Sequence, residues 1–451
     1  MPPEQSFIIV GAGNFGAATA LALKQDKTRN VKVTLIDTTT YPNPGAASHD
    51  VNKIIRPDYA DLDYMKLMAE VMPCWQTDEL YKPFYHEVGV VRVDSSSFSD
   101  DVMKNYDIMY PDDKTQIPAK WLSVEEARVL SGGPLRDANY GGVDKVFWNP
   151  ASGWAAAAKA LEAVVGTAIK AGVQYSSLGV KRLIIDDPDG SAKCTGVVLG
   201  NGEVLKADVI LVAAGAHTAV LLADSAPKSE KIQAGDRLLA TGAISFYLTL
   251  PEEKIKDFVN CPVVKNSEEH TKGSLECAGE SMGMTPDGVL KFNCDISFTN
   301  NLLHPATQKV MSIPPTEIGE TSWTSGYFPK LFKERSAKVL EGSYGELVKC
   351  LPIEKYRMCW DATTPTHDFL ITPHPHCANL CVASGGSFHG WKFLPVIGKY
   401  IVRMMDGRAD GSFKGDLAER WAWDRDPDDK RAANPTYQIE GDLQDMKKDD
   451  E

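Results

Sequence analysis

The sequence lacks any apolar run that approaches the roughly 18 residues needed to span a membrane. Its first strand-like segment begins at about residue 7, which leaves no room for a signal peptide. The final residues, from Met446 to Glu451, are charged and do not form a peroxisomal tripeptide. We therefore expect a cytoplasmic protein without a membrane partner.

Paired cysteines and an excess of positive charge are also missing. The nine cysteines are scattered and form no C-x-x-C pair, which argues against a disulfide framework and against a metal centre. The 48 Lys and Arg residues are outnumbered by 61 Asp and Glu residues, and the net charge is -13. Because this charge would repel a polyanion, we expect no nucleic acid partner.

The composition that remains is that of an ordinary globular protein, with 43% hydrophobic and 24% charged residues. A chain of 451 residues is too long for one compact core, so two domains of roughly 200 residues each are expected. The sequence shows no internal repeats and no low-complexity segments.

The most informative stretch is residues 7–37. It reads as an apolar strand, a glycine turn with the sequence Gly-Ala-Gly-Asn-Phe-Gly, an alanine-rich helix, and a second strand that stops at Asp37. This order is typical of a dinucleotide-binding unit. The alternative is a glycine turn in an α/β protein that binds no nucleotide.

Each residue type in this unit has a chemical reason. Gly11 makes the tight turn, Gly13 lets a pyrophosphate approach the backbone, and Gly16 lets helix and strand pack closely. The N–H groups at the helix start, around Asn14 and Phe15, would face the phosphates, and Asp37 would accept hydrogen bonds from a ribose.

A second unit further along distinguishes between dinucleotides. An alanine-rich helix is predicted at 154–171, then a short strand from Val173, a hairpin at 182–199, and a buried strand that ends at Ala214 and Gly215. A chain that returns to its first sheet in this way is typical of FAD domains. A nicotinamide-dependent dehydrogenase, which would more often continue with regular βα repeats, is the alternative.

The residue pattern changes at 61–149 and again at 231–350, where polar and mixed segments replace the pattern of the nucleotide unit. Strand-like segments at 241–250, 257–264 and 288–295 predict an antiparallel sheet in a substrate domain. The FAD-binding domain would then comprise 1–60, 150–230 and 351–425, followed by a loosely attached charged tail at 426–451. The predicted fold class is α/β: a two-domain FAD-dependent oxidoreductase with a Rossmann-like FAD domain and an antiparallel-sheet substrate domain.

Three further stretches carry candidate chemistry. Lys53 and Arg56 follow the nucleotide unit and would bring positive charge to the cofactor, unless this segment is a solvated loop. Lys291 lies inside a predicted strand, where it would point either inward or, as a guard of a sheet edge, to solvent. The stretch 356–398 is dense in reactive side chains, and its glycines at 385–390 predict a second strand-to-helix turn whose N–H groups would meet a flavin ring.

These residues resemble the FAD amine oxidases of the monomeric sarcosine oxidase and amadoriase (fructosyl amino acid oxidase) family, within the D-amino acid oxidase superfamily, including its fungal saccharopine and pipecolate oxidases. The resemblance extends to about residue 425. Its most specific parts are the segment from Asp50 to Arg56, the segment around Cys359, and Gly-Gly-Ser-Phe-His-Gly-Trp-Lys-Phe at 385–393.

The resemblance implies roles for individual residues. Cys359 matches the cysteine that relatives join through sulfur to the flavin 8α-methyl carbon, so the FAD should be covalent. Lys291 matches the lysine that promotes reaction of reduced flavin with oxygen, and Lys53 matches a basic residue linked to proton relay. The other expected FAD contacts are Ser48, Val173, Ala214, Gly215, Gly386, Gly390 and Lys392.

Substrate choice divides the two branches of this family. Sarcosine-oxidase-like members clamp the substrate carboxylate with an arginine at the position of Arg56 and a lysine at that of Lys392. Amadoriases tend to place a glutamate where Asp295 stands and an arginine where His389 stands. All four positions are expected to contact substrate, and the two departures favour an N-alkyl or cyclic amino acid over a fructosyl amino acid.

The function implied is an FAD oxidase of secondary amines that carry a carboxylate, of the sarcosine, pipecolate or saccharopine type. Hydride would leave the carbon beside nitrogen for the flavin, and oxygen would then reoxidise the flavin and yield hydrogen peroxide. A fructosyl amino acid oxidase is the first alternative, and a flavin-containing binding protein without turnover is the second. The expected partners are the small-molecule amine and oxygen, and the expected state is a monomer.

Overall fold

The computed structural model describes residues 3–266, 278–315, 328–410, 416–429, 431 and 439–450. In chain order the strands are β1 Gln5–Val10, β2 Val31–Ile36, β3 Lys53–Ile55, β4 Tyr85–His86, β5 Val90–Val93, β6 Lys120–Ser123, β7 Lys145–Asn149, β8 Gly153–Ala155, β9 Gln174–Ser176, β10 Val180–Asp186, β11 Lys193–Leu199, β12 Val204–Lys206, β13 Val209–Val212, β14 Leu239–Thr249, β15 Val263–Asn266, β16 Gly279–Ser281, β17 Val289–Thr299, β18 Asn301–Leu303, β19 Val310–Ser312, β20 Lys355–Thr363, β21 Leu370–Pro373, β22 Leu380–Ser384 and β23 Ile439–Asp442. The helices are α1 Asn14–Gln25, α2 Leu62–Thr77, α3 Phe98–Met109, α4 Val124–Arg128, α5 Ala157–Lys170, α6 Thr218–Ser225, α7 Glu252–Phe258, α8 Lys330–Tyr344, α9 Ile397–Asp410, α10 Asp416–Arg420 and α11 Leu443–Asp449.

The first sheet has six strands in the order β21-β22-β13-β1-β2-β9. All of its pairs are parallel except β21 with β22. Parallel strands need both faces covered, which explains why their sequences are continuously apolar. In β1, Phe7 and Ile9 pack into a core with α1, α5 and α9, while Ile8 and Val10 pack into a second core beneath β10, β11 and β12.

The second sheet has nine strands. Eight of them follow the order β20-β14-β17-β16-β15-β5-β7-β6, and β23 pairs with β17. The pairs are antiparallel except β15 with β5 and β17 with β23, so the predicted antiparallel sheet is present with two parallel exceptions. Helix α8 packs on this sheet through Phe332, Val339 and Tyr344.

Several local predictions are confirmed. The unit of strand, glycine turn, helix and strand forms at the beginning of the chain, and the hairpin between β10 and β11 is antiparallel. The long strands predicted near 241–250 and 288–295 are β14 and β17. With these two sheets, the predicted α/β fold class agrees with the structure.

Three boundaries differ from the sequence prediction. The segment 257–264 is not one strand, because it contains the end of α7 and the beginning of β15. The helix predicted from residue 154 begins three residues later, since Trp154 pairs within β8. The strand β20 falls within the range assigned to the FAD-binding domain, yet it hydrogen-bonds to β14 in the second sheet.

The charged tail also differs from its prediction, within the part of it that the structure describes. Residues 430, 432–438 and 451 lie outside the described ranges. Beyond them, β23 pairs with β17, and the α11 residues Leu443 and Met446 are buried in the core of the second sheet. The prediction of a loosely attached tail is therefore wrong for 439–450, because two apolar residues among the charges hold it against the sheet.

A bilayer-spanning helix is absent from the described ranges. Over the same ranges, no three His, Cys, Asp or Glu side chains come together in the way that metal ligands would.

Candidate active site

A cavity of about 660 Å³ extends from the glycine turn of the first sheet to the inner surface of the second sheet. Most of the predicted site residues line it: Gly11, Gly13, Asn14, Phe15, Asp37, Ser48, Lys53, Arg56, Ala214, Gly215, Lys291, Cys359, Gly386, His389, Gly390 and Lys392. The structure therefore brings together residues from positions 11 to 392 of the chain.

Two predicted cofactor contacts lie away from this lining. Val173 is buried in the core beside α5, and the cavity wall nearby is formed by Gly179 and Val180 instead. Gly16 lies behind the turn, where a Cβ would collide with the carbonyl oxygen of Gly11. Its contribution is thus the close packing of helix and strand, and not contact with a ligand.

The nucleotide end of the cavity has the geometry that a dinucleotide requires. Gly11 has a φ of +103°, and a Cβ there would collide with the carbonyl oxygen of Ala213, so only glycine fits this turn. Helix α1 follows with Gly13 as its N-cap and without any side-chain cap. Its first N–H groups are therefore available to an anion in the cavity.

Polar atoms at this end of the cavity also suit a polar ligand. In the part of the chain that the structure describes, Asn14 Oδ1 and Ser48 Oγ are buried without a hydrogen-bond partner, although both residues line the cavity. The Asp37 carboxylate accepts hydrogen bonds from the Ala12 and Thr38 amides, which fixes its position at the end of β2. Buried polar groups are normally paired, so these residues fit a polar ligand such as the FAD expected from the sequence.

The other end of the cavity is organised around Asp50. Its Oδ2 lies 2.6 Å from Lys291 Nζ, 3.4 Å from Lys53 Nζ and 3.6 Å from Arg357 Nη1. Its Oδ1 accepts a hydrogen bond of 3.1 Å from the Tyr247 hydroxyl. One carboxylate thus holds three cations, and this end of the cavity carries a net positive charge.

Burial and charge act in opposite directions at this cluster. Burial opposes ionisation of Asp50, but Lys291, Lys53 and Arg357 together hold the pKa of its carboxyl below the ordinary value. Burial lowers the pKa of Lys291, and the Asp50 carboxylate counteracts that effect. Lys291 also donates to the Asn52 carbonyl oxygen at 3.0 Å, so its position is determined by two acceptors.

Strand β20 presents Cys359 to the cavity between two charged residues. Because side chains alternate along a strand, Arg357, Cys359 and Asp361 share one face, from which Cys359 and Asp361 line the cavity. The Met358 and Trp360 side chains pack in the core of the second sheet. The Asp361 carboxylate accepts a hydrogen bond from the Phe388 amide at 2.9 Å. Asp361 thereby holds the Gly385–Gly390 turn beside Cys359.

Lys392 lies at the end of a hydrogen-bonded chain. Its Nζ donates to the Tyr59 hydroxyl at 2.8 Å, and that hydroxyl is 3.0 Å from His389 Nδ1. The His389 Nε2 lies 2.8 Å from the carbonyl oxygen of His367. A carbonyl only accepts, so Nε2 carries the hydrogen, Nδ1 accepts from Tyr59, and the Tyr59 oxygen accepts from Lys392.

These hydrogen bonds give His389 a role different from the substrate contact that the sequence predicts. Both of its ring nitrogens bond within the protein, so it supports Lys392 through Tyr59 instead of presenting a free nitrogen to a substrate. Burial, followed by the charge of Lys392, lowers the pKa of His389 well below its ordinary value and keeps the ring neutral. Burial and the charge of Arg56 likewise lower the pKa of Lys392.

Arg56 lies beside this chain at the same end of the cavity. It donates to the carbonyl oxygen of Asp58, and its guanidinium stacks over the rings of Tyr59 and Phe98 at 5.2 and 5.5 Å. These contacts hold the guanidinium within the same wall as Lys392. Two cations are thereby placed where a substrate carboxylate could bind.

The structure places Asp295 away from the cavity in which the sequence predicts that it contacts substrate. Asp295 is buried outside the cavity lining, and both of its oxygens accept from Lys265 Nζ at 2.8 Å. Lys265 also lies 2.8 Å from Glu280 Oε1, and both Lys265 and Glu280 line the cavity. Of these two acids, Glu280 on the neighbouring strand β16 is therefore the one that faces the cavity.

Sequence reasoning missed several of these residues. Arg357 had a usable signal, because it stands two positions before Cys359 in a predicted strand and must share its face. Asp50 lay within the segment that carried the family resemblance but had no assigned role. Lys265 and Glu280 had no usable signal, since the boundaries of their strands were misplaced or unrecognised.

Comparison with known proteins agrees with this geometry. A family model described as FAD dependent oxidoreductase matches residues 6–404. The chain is 27% identical to L-saccharopine oxidase of Schizosaccharomyces pombe, over 95% of this chain and 94% of that protein. It is 26% identical to the amino acid oxidase imqH of Aspergillus flavus, over 90% and 93% respectively.

Solved structures give the same result. The structure of fructosyl peptide oxidase from E. terrenum superposes with a TM-score of 0.78 at 25% identity, covering 98% of this chain and 97% of that one. The family match spans most of the chain and includes the glycine turn, the Asp50 cluster and the Cys359 strand. The chain belongs to the FAD dependent oxidoreductase family, as the resemblance in its sequence predicted.

Proposed function

We propose that this protein is an FAD-dependent oxidase of secondary amines that carry a carboxylate, such as N-alkyl or cyclic amino acids or saccharopine-like conjugates. The observation that carries the proposal is the meeting of Arg56 and Lys392 with Lys291, Lys53 and Cys359 in one cavity. The names of the relatives, an L-saccharopine oxidase and an amino acid oxidase, support oxidation beside an amino group.

The residues that would hold FAD fall into two groups. The glycine turn, the uncapped start of α1, Asp37 and Ser48 would bind the nucleotide half. Cys359 and the turn at Gly386 and Gly390 would hold the flavin half, and we propose a thioether from Cys359. When bound, FAD supplies the acceptor for the hydride of the amine and returns the electrons to oxygen, which gives hydrogen peroxide.

The chain itself contributes orientation and charge. Arg56 and Lys392 would bind the substrate carboxylate and so fix the carbon beside nitrogen over the site. Lys291, held by Asp50, is a fixed cation that would stabilise the negative charge that develops on oxygen. Lys53 is the more exposed cation of the cluster, with 23% of its side chain accessible, which suits proton exchange with solvent.

A fructosyl amino acid oxidase is the second candidate, because the fructosyl peptide oxidase of E. terrenum has the same fold over nearly the whole chain. The resemblance places substrate contacts of that branch at the positions of Asp295 and His389. Here Asp295 bonds to Lys265 behind the cavity wall, and the ring of His389 is engaged by Tyr59 and His367. These contacts favour the first candidate.

The test is anaerobic bleaching of the flavin by a panel of amines. The panel contains sarcosine, pipecolate, saccharopine and fructosyl-glycine, followed by readmission of air and measurement of peroxide. Bleaching by one of the first three and not by fructosyl-glycine is the expected result. Bleaching by fructosyl-glycine alone would establish the second candidate, and no bleaching by any amine would overturn both.

A further inference from the structure

Lys265, Glu280 and Asp295 form a buried ionic cluster in the wall of the substrate end. The Lys265 ammonium contacts both Asp295 oxygens and one oxygen of Glu280, each at 2.8 Å. The second oxygen of Glu280 accepts from Asn293 Nδ2 at 3.1 Å, and Asn293 accepts in turn from Ser245 at 2.7 Å. The three strands β15, β16 and β17 that carry these residues are adjacent in the second sheet.

The cluster is asymmetric toward the cavity. Asp295 is sealed behind Lys265, whereas Glu280, Lys265, Asn293 and Ser245 all line the cavity that also contains Arg56 and Lys392. A carboxylate offers about four acceptor sites, and two of those on Glu280 are used by Lys265 and Asn293. Glu280 therefore retains acceptor capacity on the side of the ligand.

The cluster also has more negative than positive groups. One lysine faces two carboxylates, and buried charges are stable only when they are paired. Burial, together with the neighbouring charge of Glu280, raises the pKa of Asp295. Burial opposes ionisation at Glu280 too, but Lys265 and Asn293 lower the pKa of Glu280, so the acid that lines the cavity is the more readily ionised of the two.

We propose that Glu280 binds a second, cationic group of the substrate, so that the preferred substrate is a secondary amino acid with a separate primary ammonium group. Arg56 and Lys392 then bind a carboxylate at one side of the cavity while Glu280 binds the ammonium at another. This inference rests on the proposed function and narrows its substrate class. Simple amines such as sarcosine would use only half of the site.

The matched probes are saccharopine and an analogue in which the primary amine is replaced by hydrogen. Their dissociation constants are obtained anaerobically from the dependence of the flavin bleaching rate on probe concentration. A charge-assisted hydrogen bond predicts that wild-type holoenzyme binds saccharopine about 10- to 100-fold more tightly than its deamino analogue. Equal affinities would overturn the inference, and this comparison requires no variant.

Two variants then locate the effect. Glu280→Gln keeps an oxygen that can accept from Lys265 but removes the charge, and it is expected to abolish the preference for the ammonium group. Asp295→Asn removes a charge from the same cluster behind the wall and is expected to keep most of the preference. Equal losses in both variants would assign the preference to the general field and overturn direct binding by Glu280.

The same data separate the inference from the proposed function. Bleaching by both probes with equal affinities would leave the oxidase assignment standing and remove the role of Glu280. Failure of both probes and every other amine to bleach the flavin would remove the oxidase assignment itself and the inference with it.

Discussion

Lys291 Nζ lies 2.6 Å from Asp50 Oδ2, although 241 positions separate the two residues in sequence. Both side chains are only 1% exposed. The pair joins the segment after the nucleotide unit to the middle of the second sheet, so the cation is held at the point where the two halves of the cavity meet. A buried lysine with an anchored carboxylate partner is a fixed charge, which suits stabilisation of an anion that forms only transiently.

Replacing Lys291 by Met should separate the two half-reactions. Asp50 retains Lys53 and Arg357 as counterions, so the variant should fold, and reduction of the flavin by amine should change little. Reoxidation by oxygen should slow by about 10²- to 10³-fold, the usual effect of losing one preorganised electrostatic donor. Anaerobic and aerobic stopped-flow absorbance would measure the two steps separately.

The matched control for this prediction is Lys53→Met. It removes another cation that contacts the Asp50 carboxylate, but Lys53 lies further from that carboxylate than Lys291 and is more exposed. If both variants slowed reoxidation equally, the effect would come from net charge and not from the placement of Lys291. Equal slowing of both half-reactions in Lys291→Met would likewise contradict the assigned role.

Covalent attachment can be tested at Cys359. After acid precipitation, the wild-type pellet should keep its yellow colour, whereas Cys359→Ser should release all flavin into the supernatant. Cys294 provides a matched control, because it is also buried and also lines the cavity. Cys294→Ser should retain bound flavin, and a colourless wild-type pellet would refute the thioether.

Tyr59→Phe should weaken binding of the substrate carboxylate. The hydroxyl accepts from Lys392 and donates to His389, so its removal leaves the ammonium held by the longer hydrogen bond to the His389 carbonyl oxygen, at 3.3 Å. We expect an increase of about tenfold in the anaerobic Kd of the amino acid substrate. Tyr64→Phe is the control, because Tyr64 stacks on Tyr59 but bonds to Asp368 and not to Lys392. Similar changes in Kd for both variants would argue against a role for the hydrogen bond between Tyr59 and Lys392 in substrate binding.

Binding of a carboxylate should depend on the protonation of Lys392. Burial and Arg56 lower the pKa of Lys392 well below 10.5, and only its ammonium form attracts an anion. The affinity for acetate, which has no amine to titrate, should therefore fall as the pH rises through that lowered pKa. Lys392→Arg, whose guanidinium stays charged, should lose this dependence. A flat profile in the wild type would contradict the prediction.

The C-terminal segment should contribute to stability. Leu443→Ala removes a buried side chain of α11 from the core of the second sheet, and it should lower the free energy of unfolding by about 2–5 kcal/mol. Lys448→Ala, on the exposed side of the same helix, should change that free energy by less than about 0.5 kcal/mol. Denaturant unfolding of the holoenzyme would measure both, and equal effects would mean that the segment does not pack as described.

Much of the fold could be predicted because its signals are local. The glycine spacing at 11–16 demands a turn that only glycine can adopt, and the continuous apolar runs of β1 and β13 demand a sheet covered on both faces. The alternation of side chains along β20 is also a local signal, and it puts Arg357, Cys359 and Asp361 on one face. The sequence of Leu443 and Met446 in a charged tail carried too weak a periodicity to reveal its packing.

The sequence alone therefore determined the dinucleotide unit, the α/β class, and the residue types available for redox chemistry, because turn geometry and periodicity depend on neighbours within a few positions. Only the tertiary structure decided which charges meet. It placed Asp50 against Lys291, turned His389 toward Tyr59, and set Asp295 behind Lys265 so that Glu280 faces the cavity. Such pairings depend on which strands lie side by side, and ion pairs are selected by distance and burial in space, which short windows of sequence do not encode.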